Sequence, residues 1–406
     1  MKKIFVPITA LLFSILLWRC GKDSNDGVTP EPGQPVQVSA DVAGRTTDFA
    51  FDFFKKFQAT QPANENIFVS PLSLHMALGM LLNGAEGETA QQIAKTLKTD
   101  GVAQADLNQA YQALLEGLPK ADPKVQLGLA NSVWYRSTFK VEDDFLNVLR
   151  KSFDAEVAGL NFDDPTAKDK INTWASDKTN GKIKKVIDQI KPDDVLFLMN
   201  ALYFKGDWKV QFDAKKTNDA PFFLAGDGQK TVKMMREKEK FKVAMRPSYA
   251  AVELPYANGS FNLTLLIPNQ NTDASEVVKG LNADTWKELQ AAMREQQVTV
   301  GLPRFTLEYE AKLNEVLQAM GMTRAFTRQA QLGKINPTAE LLVSFVKQNT
   351  YLGIDEKGTE AAAVTTIGVG VTSIPIEPYI ADHPFVLLIS EKTSNTILFM
   401  GKIMNP

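Results

Sequence analysis

Residues 356–375 read EKGTEAAAVTTIGVGVTSIP, and no other stretch of the chain is as informative. From Ala361 to Ile374 there is no charge and no proline, and the segment is rich in the strand-favouring residues Val, Ile and Thr. One alternating face holds only small or apolar residues, which are Thr359, Ala361, Ala363, Thr365, Ile367, Val369 and Val371. The other face contains two glycines, which weaken an independent strand. The pattern predicts either an ordinary late strand or a loop that can become a strand.

The rest of the chain has the composition of a large globular protein. Of its 406 residues, 44% are hydrophobic and 23% are charged, and no internal linker divides residues 41–406, so we predict one domain there. Helical patterns come first and strand alternation follows, which indicates a mixed α+β fold. The formal net charge of −2 implies no polyanionic partner, so we expect no nucleic acid to bind.

Residues 1–20 have the layout of a secretion signal. Lys2 and Lys3 form a basic start, and the largely apolar run at 4–17 is too short for a comfortable transmembrane helix. Residues 21–40 are polar and rich in Gly, Pro, Asp and Ser, which is the composition of a flexible linker. We therefore predict export across the inner membrane.

Cys20 is the only cysteine in the sequence, so no intrachain disulfide can form. A hydrophobic run that ends in a sole cysteine resembles a bacterial lipoprotein signal, in which Cys20 would bear the lipid. That interpretation predicts anchoring to the outer membrane, on its periplasmic face or at the cell surface. Trp18 and Arg19 stand where such signals usually have small residues, so an ordinary cleaved signal with an incidental cysteine is the alternative.

The sequence offers little for catalysis. His75 lies on an apolar helix between Leu74 and Met76, which is typical of a core histidine, and His383 is expected to have a loop or structural role. There is no G-x-S-x-G elbow, no H-E-x-x-H motif, no phosphate-binding loop and no cysteine after residue 20. We therefore expect a protein that is not an enzyme and that binds no metal or cofactor.

Seven segments, in order, resemble the serpin family of serine protease inhibitors and together cover nearly all of residues 41–406. They include NIFVSPLSLHMALGMLLNGAEGETAQQI at 66–93, MNALYFKGDWKVQF at 199–212 and IDEKGTEAAA at 354–363. The other four lie at 131–145, 171–187, 252–269 and 302–322, and DHPFVLLISEKTSNTILFMGKIMNP closes the chain. The resemblance implies helices around three β-sheets, with residues 356–378 as an exposed reactive-centre loop.

The resemblance also implies a mechanism. A protease takes the loop as a substrate, its serine forms an acyl-enzyme, and the cut loop inserts into the central sheet before water can release the protease. Small hinge residues enter the sheet first, and they are Glu356, Gly358, Thr359, Glu360, Ala361, Ala362 and Ala363. About twelve ladder hydrogen bonds, each worth ~1 kcal/mol net, give a drive on the order of 10 kcal/mol.

The family's spacing from the hinge glutamate, Glu356, places the reactive bond between Thr372 and Ser373. Counting back from Pro384 puts the cut after Ser373 instead, and a cut after Val371 is a third alternative. No Lys or Arg occurs at 358–391, so a trypsin-like target is not expected. Small β-branched residues suit a shallow primary pocket, so we predict a covalent complex with elastase-like serine proteases.

Other family positions match individual residues of this chain. Ser70, Ser73 and Asn200 match a polar cluster beneath the central sheet, and Gln348 stands where that cluster usually has a histidine. Trp208 matches the tryptophan at the top of the sheet, where insertion begins, and core packing is its simpler explanation. We expect a monomer without a polysaccharide cofactor. The competing hypothesis is a serpin-fold binding or carrier protein whose loop traps nothing.

Overall fold

The structure, a computed structural model of the chain, describes residues 33–226, 228–359 and 379–406. The predicted signal with Cys20 and most of the linker lie outside the described residues, and so do the reactive bond at Thr372–Ser373 and the hinge residues Glu360, Ala361, Ala362 and Ala363. The division of the chain at residue 40 stays a prediction, although the first described helix begins there.

The described helices alternate with strands in the first half of the chain and become sparse in the second half. In chain order they are α1 Ala40–Ala59, α2 Pro71–Gly84, α3 Gly87–Thr96, α4 Gln104–Gly117, α5 Asp143–Phe153, α6 Ala167–Lys178, α7 Ala274–Gly280, α8 Ala283–Ala292 and α9 Asn314–Ala319. The start of α2 follows from its sequence, because the Ser70 hydroxyl accepts from the Ser73 amide and Pro71 occupies the first helical position.

The described strands form two hydrogen-bonded sheets. In chain order they are β1 Ile67–Val69, β2 Gln126–Arg136, β3 Ala155–Leu160, β4 Leu196–Asp207, β5 Asn218–Phe223, β6 Gln229–Met245, β7 Tyr249–Pro255, β8 Phe261–Pro268, β9 Arg294–Pro303, β10 Phe305–Lys312, β11 Lys347–Ile354, β12 Gly358–Thr359, β13 Phe385–Glu391 and β14 Ile397–Ile403. The central sheet has the order β10-β11-β12-β4-β2-β3, and the remaining strands belong to the second sheet.

The sequence resemblance implied three sheets, and the difference has a simple cause. β6 is 17 residues long, and it pairs with β5 and β9 over one part and with β7 at its other end. The two smaller sheets are therefore continuous through this one strand. The mixed α+β class is as expected.

Helix α2 lies between the two sheets, because it contacts β4 of the central sheet and β14 of the second sheet. Every α2 residue except Ala77 and Asn83 is buried, as expected for a helix that is apolar all round. Helix α6 covers the other face of the central sheet, where Trp174 packs with Trp134 and Phe197. In the described part of the chain, no helix has both the length and the apolarity that crossing a bilayer requires.

Candidate functional site: the opening in the central sheet

The two-residue strand β12 lies between β4 and β11. Gly358 pairs with Asp207, and Thr359 pairs with Gly206 on one side and with Ile354 on the other, all antiparallel. Over the described residues, β4 and β11 form no ladder with each other, so β12 alone joins the two halves of the central sheet. Below β12 the sheet is therefore open along the facing edges of β4 and β11.

The burial of these hinge residues corrects the predicted start of the exposed loop. Glu356, Gly358 and Thr359 are buried, and only Lys357 between them is exposed. A Cβ on Gly358 would lie 2.1 Å from the main-chain oxygen of Gly206, so this position requires glycine. The first residues of the predicted loop are thus already part of the sheet.

Thr359 points into the core from β12. Its side chain is 3% exposed, and its hydroxyl lies 2.6 Å from the phenol oxygen of Tyr256. Burial raises the pKa of Tyr256 well above its usual value, so the phenol stays neutral and can donate or accept in this hydrogen bond. Thr359 is the first residue of the small, apolar alternating face, and its orientation is the one that insertion of that face requires.

Trp208 lies directly beside the hinge. Its indole stacks on Tyr256 with a centroid distance of 4.6 Å, and its Nε1 donates to the main-chain oxygen of Asp355 at 2.9 Å. Its amide donates to the main-chain oxygen of Lys357 at 2.7 Å. Packing and contact with the hinge therefore coexist in one residue. Sequence reasoning missed Tyr256, although it lies within the matching segment at 252–269.

Two carboxylates hold the turn that precedes β12. Asp355 accepts from the amides of Lys357 and Gly358 at 2.9 and 3.2 Å. Burial raises the pKa of Asp355, and these two amide hydrogen bonds oppose that rise. Glu356 accepts from the Thr217 hydroxyl at 2.8 Å, and its carboxylate lies 3.5 Å from a guanidinium nitrogen of Arg304. The hinge glutamate is thus held in place by the chain on both sides of it.

The polar cluster predicted beneath the sheet is only partly assembled. Gln348 on β11 accepts from the Ser70 amide at 2.8 Å and donates to the Ser70 main-chain oxygen at 2.9 Å. Ser70 and Ser73 are buried next to it at the start of α2. An amide side chain can donate and accept at once, so Gln348 binds both main-chain groups of one residue. This pair joins β11 to α2.

Asn200 does not join that cluster. Its Nδ2 donates to Asn131 Oδ1 at 2.7 Å, and Asn131 in turn donates to the main-chain oxygen of Phe153 at 2.7 Å. The expected grouping of Asn200 with Gln348 is therefore wrong, because Gln348 uses its carbonyl oxygen and its amide on Ser70. The Asn200 side chain joins β4 to β2 and α5, and no hydrogen bond between these side chains crosses the opening.

A cavity of about 150 Å³ occupies the opening between β4 and β11. Its walls include Ser73 from α2, Trp174 from α6, Asn200 from β4 and Gln348 from β11. A strand that continued β12 would follow this path. The geometry therefore combines a seated strand start with unfilled space ahead of it.

Comparisons with known proteins agree with this architecture. Residues 44–406 match the family model described as "Serpin (serine protease inhibitor)". A leukocyte elastase inhibitor from Xenopus laevis is 35% identical over 377 residues, which are 90% of this chain and 99% of that protein. The chain belongs to the serpin family. Serpins are protease inhibitors rather than catalytic enzymes, so the family relationship supports protease inhibition by this chain.

Solved structures show the same fold. A complex of thyroxine-binding globulin with thyroxine has a TM-score of 0.82 at 27% identity, covering 90% of this chain and 99% of that one. The native state of tengpin, a thermophilic serpin, has a TM-score of 0.82 at 28% identity, covering 93% and 98%. The serpin fold expected from the sequence is therefore confirmed.

Proposed function

We propose that this chain is an irreversible, suicide-substrate inhibitor of serine proteases with an elastase-like, shallow primary pocket. The observation that supports the proposal most strongly is the position of β12. Its two residues lead directly into residues 360–378 and already lie between β4 and β11. The start of a middle strand is in place, with an open path ahead of it.

The register of β12 defines how far insertion would proceed. If the pairing of Thr359 with Gly206 continued along β4, residue 369 would lie opposite Leu196, the other end of that strand. The residues that follow Thr359 on its face are small or apolar, so the core would receive no charge from them. A cut after Thr372 would leave enough free chain to fill the whole opening.

The loop sequence supports the choice of target. Residues around Thr372 and Ser373 are small or β-branched, and neither a basic nor an aromatic residue lies near the proposed bond. A shallow primary pocket of the elastase kind accepts such side chains. The similarity to a leukocyte elastase inhibitor agrees with this choice.

The location of the protein is a separate proposal from sequence. Export across the inner membrane, followed by attachment of lipid to Cys20, would hold the inhibitor at the outer membrane on the periplasmic face or at the cell surface. Replacing Cys20 with Ala should move the protein from the membrane fraction to the soluble fraction. Equal membrane association of both forms would remove this proposal without affecting the inhibitory mechanism.

Incubation with pancreatic or neutrophil elastase tests the inhibitory mechanism. We expect a complex that survives detergent and heat on a gel, together with a released C-terminal peptide that begins at Ser373 by mass spectrometry. A peptide that begins after a basic or aromatic residue of the loop would contradict the target choice. Complete cleavage without any stable complex would contradict the mechanism.

A second function has one observation in its favour. Thyroxine-binding globulin, which the chain resembles in structure, was solved in complex with thyroxine, so the fold is compatible with a carrier. For this chain the hinge composition favours inhibition over that alternative. Cleavage by elastase without complex formation would support the carrier.

A further inference from the structure

The cavity between β4 and β11 contains two polar atoms that the proposed mechanism leaves unused. Trp174 on α6 is 6% exposed, and the Asn200 Oδ1 atom on β4 is buried. Neither Trp174 Nε1 nor Asn200 Oδ1 has a hydrogen-bond partner in the part of the chain that the structure describes. Buried donors and acceptors normally find partners, so an unpaired donor and an unpaired acceptor on the same cavity wall require an explanation.

The two atoms approach the cavity from opposite faces of the central sheet. Phe197 and Ala201 of β4 pack with Trp174 under α6. Asn200 alternates with them along the strand, and through Asn131 it contacts the α5 face instead. The cavity reaches both faces because the sheet is open between β4 and β11. A ligand in the opening can therefore meet a donor at one end and an acceptor at the other.

The chemistry of the walls favours a neutral ligand. Most of the lining is aliphatic or aromatic, with Leu74, Leu78 and Leu81 contributed by α2. The two charged side chains of the wall that are not freely exposed are already occupied. Asp194 accepts from the Lys191 amide at 2.8 Å, and Lys347 lies 2.8 Å from the carboxylate of Glu310. A charged ligand would lose its hydration without gaining an ion pair.

The size and the entrance of the cavity define the scale of the ligand. A cavity of about 150 Å³ is large enough for a benzene-sized molecule. Leu342 and Phe345 lie at its wall and are 43% and 39% exposed, which is unusual for large apolar side chains in this protein. The Phe345 ring lies 5.8 Å from that of Phe197 and forms an apolar approach to the cavity.

We propose that the opening between β4 and β11 is a binding site for a small, neutral aromatic amide. Its carbonyl oxygen would accept from Trp174 Nε1, its N–H would donate to Asn200 Oδ1, and its ring would lie against the apolar walls. The bound molecule would occupy the path that residues 360–369 would follow. This consequence rests on the proposed inhibitory function, and it predicts that occupancy turns the inhibitor into a substrate.

Calorimetric titration of the full protein with benzamide tests the site without any protease. Trp174→Phe keeps an aromatic ring and removes the donor, so we expect the Kd to rise about tenfold. Toluene, which has the ring without the amide, should bind at least about tenfold more weakly than benzamide. Ala77→Phe fills the cavity from α2 without altering either polar atom and should abolish binding, which provides a second test.

Trp134→Phe is the matched control. Trp134 packs against Trp174 at a centroid distance of 6.2 Å, but its Nε1 already donates to the Ser132 hydroxyl at 2.8 Å. This variant should leave the Kd for benzamide within about twofold of the parent value. Equal weakening by both tryptophan variants, or ordered water alone on both atoms in a benzamide-soaked crystal, would overturn the site.

The link to inhibition needs a second readout. Benzamide should lower the fraction of elastase-stable complex for the parent protein and leave it unchanged for Trp174→Phe. Benzamide binding with an unchanged complex fraction would overturn the link while supporting the site. If no complex forms even without benzamide, the proposed function fails and the calorimetric result still decides the site.

Discussion

The upper and lower ends of the opening between β4 and β11 differ in how completely their polar groups are paired. At the upper end, Thr359, Tyr256, Trp208 and Asp355 form a closed set of hydrogen bonds around β12. At the lower end, Asn200 Oδ1 lies beside a cavity without a described partner. The upper end is therefore already in the arrangement that insertion would produce, and the remaining free energy of insertion is available at the lower end.

The comparison also suggests where insertion is resisted. Gln348 joins β11 to Ser70 of α2, whereas Asn200 joins β4 to β2 and α5. The two edges of the opening are thus attached to different neighbours rather than to each other. Widening the opening moves these attachments apart, and it does not require a hydrogen bond between Gln348 and Asn200 to break.

The largest effect is expected from a single cut within the loop. Insertion of residues 360–369 would add ladder hydrogen bonds along β4 and β11, on the order of 10 kcal/mol in sum. The cut protein should therefore unfold at a much higher temperature than the intact protein in calorimetry. Identical unfolding temperatures would remove the distinction between a completed upper end and an unfilled lower end.

Thr359→Arg should convert the inhibitor into a substrate. The new charge would have to be buried next to Tyr256, where its desolvation costs several kcal/mol. We expect the fraction of detergent-stable elastase complex to fall close to zero while cleavage continues. Lys357→Ala is the control, because the Lys357 side chain is exposed in the same turn. A complex yield equal to that of the parent would contradict the role of the upper end.

Acid should loosen α2, the helix beneath the lower end. Burial lowers the pKa of His75 to about 4, although its contact with the Leu97 main-chain oxygen opposes the shift. The folded pKa is below the unfolded value of about 6.5. Stability is therefore intact above that value, and roughly 3 kcal/mol is lost as pH falls from 6.5 to 4. Denaturant unfolding at several pH values measures this slope, which His75→Gln should reduce.

His383 provides a control of opposite sign. Burial alone would lower its pKa, but hydrogen bonds to Asp382 and to the Pro268 main-chain oxygen raise it. A raised pKa stabilises the fold below the unfolded value, and that contribution disappears as pH rises through the folded value. His383→Gln should therefore be destabilised in acid and approach the parent at alkaline pH. A parallel acid slope in both histidine variants would show that neither ring causes it.

The smallest effect is expected from Tyr256→Phe. The change removes one hydroxyl and leaves the buried Thr359 hydroxyl without that partner, which costs about 1–2 kcal/mol. Because the indole of Trp208 can still stack on the ring, complex formation with elastase should persist. Denaturant unfolding measures the loss. No change in stability would indicate that the upper end does not depend on this hydrogen bond.

Local patterns were sufficient to predict several elements of the fold. Ser70 followed by Pro71 predicted the start of α2, and the apolar surroundings of His75 predicted a core position that is 1% exposed. The alternation at 359–371 predicted an inward-facing Thr359, as observed. In each case the information lies within a few residues, because a cap, a helix face and a strand face are set by neighbours in the chain.

Other features could not be read from neighbours. The partners of β12 are Gly206–Asp207 and Ile354, and the first pair lies about 150 residues earlier in the chain. The orientation of Gln348 toward Ser70, rather than toward Asn200, depends on which main-chain groups the end of β1 and the start of α2 leave available. Pairing between distant segments depends on the relative free energies of all the available edges, which no single segment contains.

By itself, the sequence determined the mixed α+β class, the resemblance to serpins and the small, uncharged face that a new strand would need. Only the tertiary structure decided that this strand has already begun, that Tyr256 meets its first side chain, and that the space ahead of it is open. The physical reason is that side-chain alternation is a local property of the backbone, whereas an open sheet edge exists only after distant strands have assembled around it.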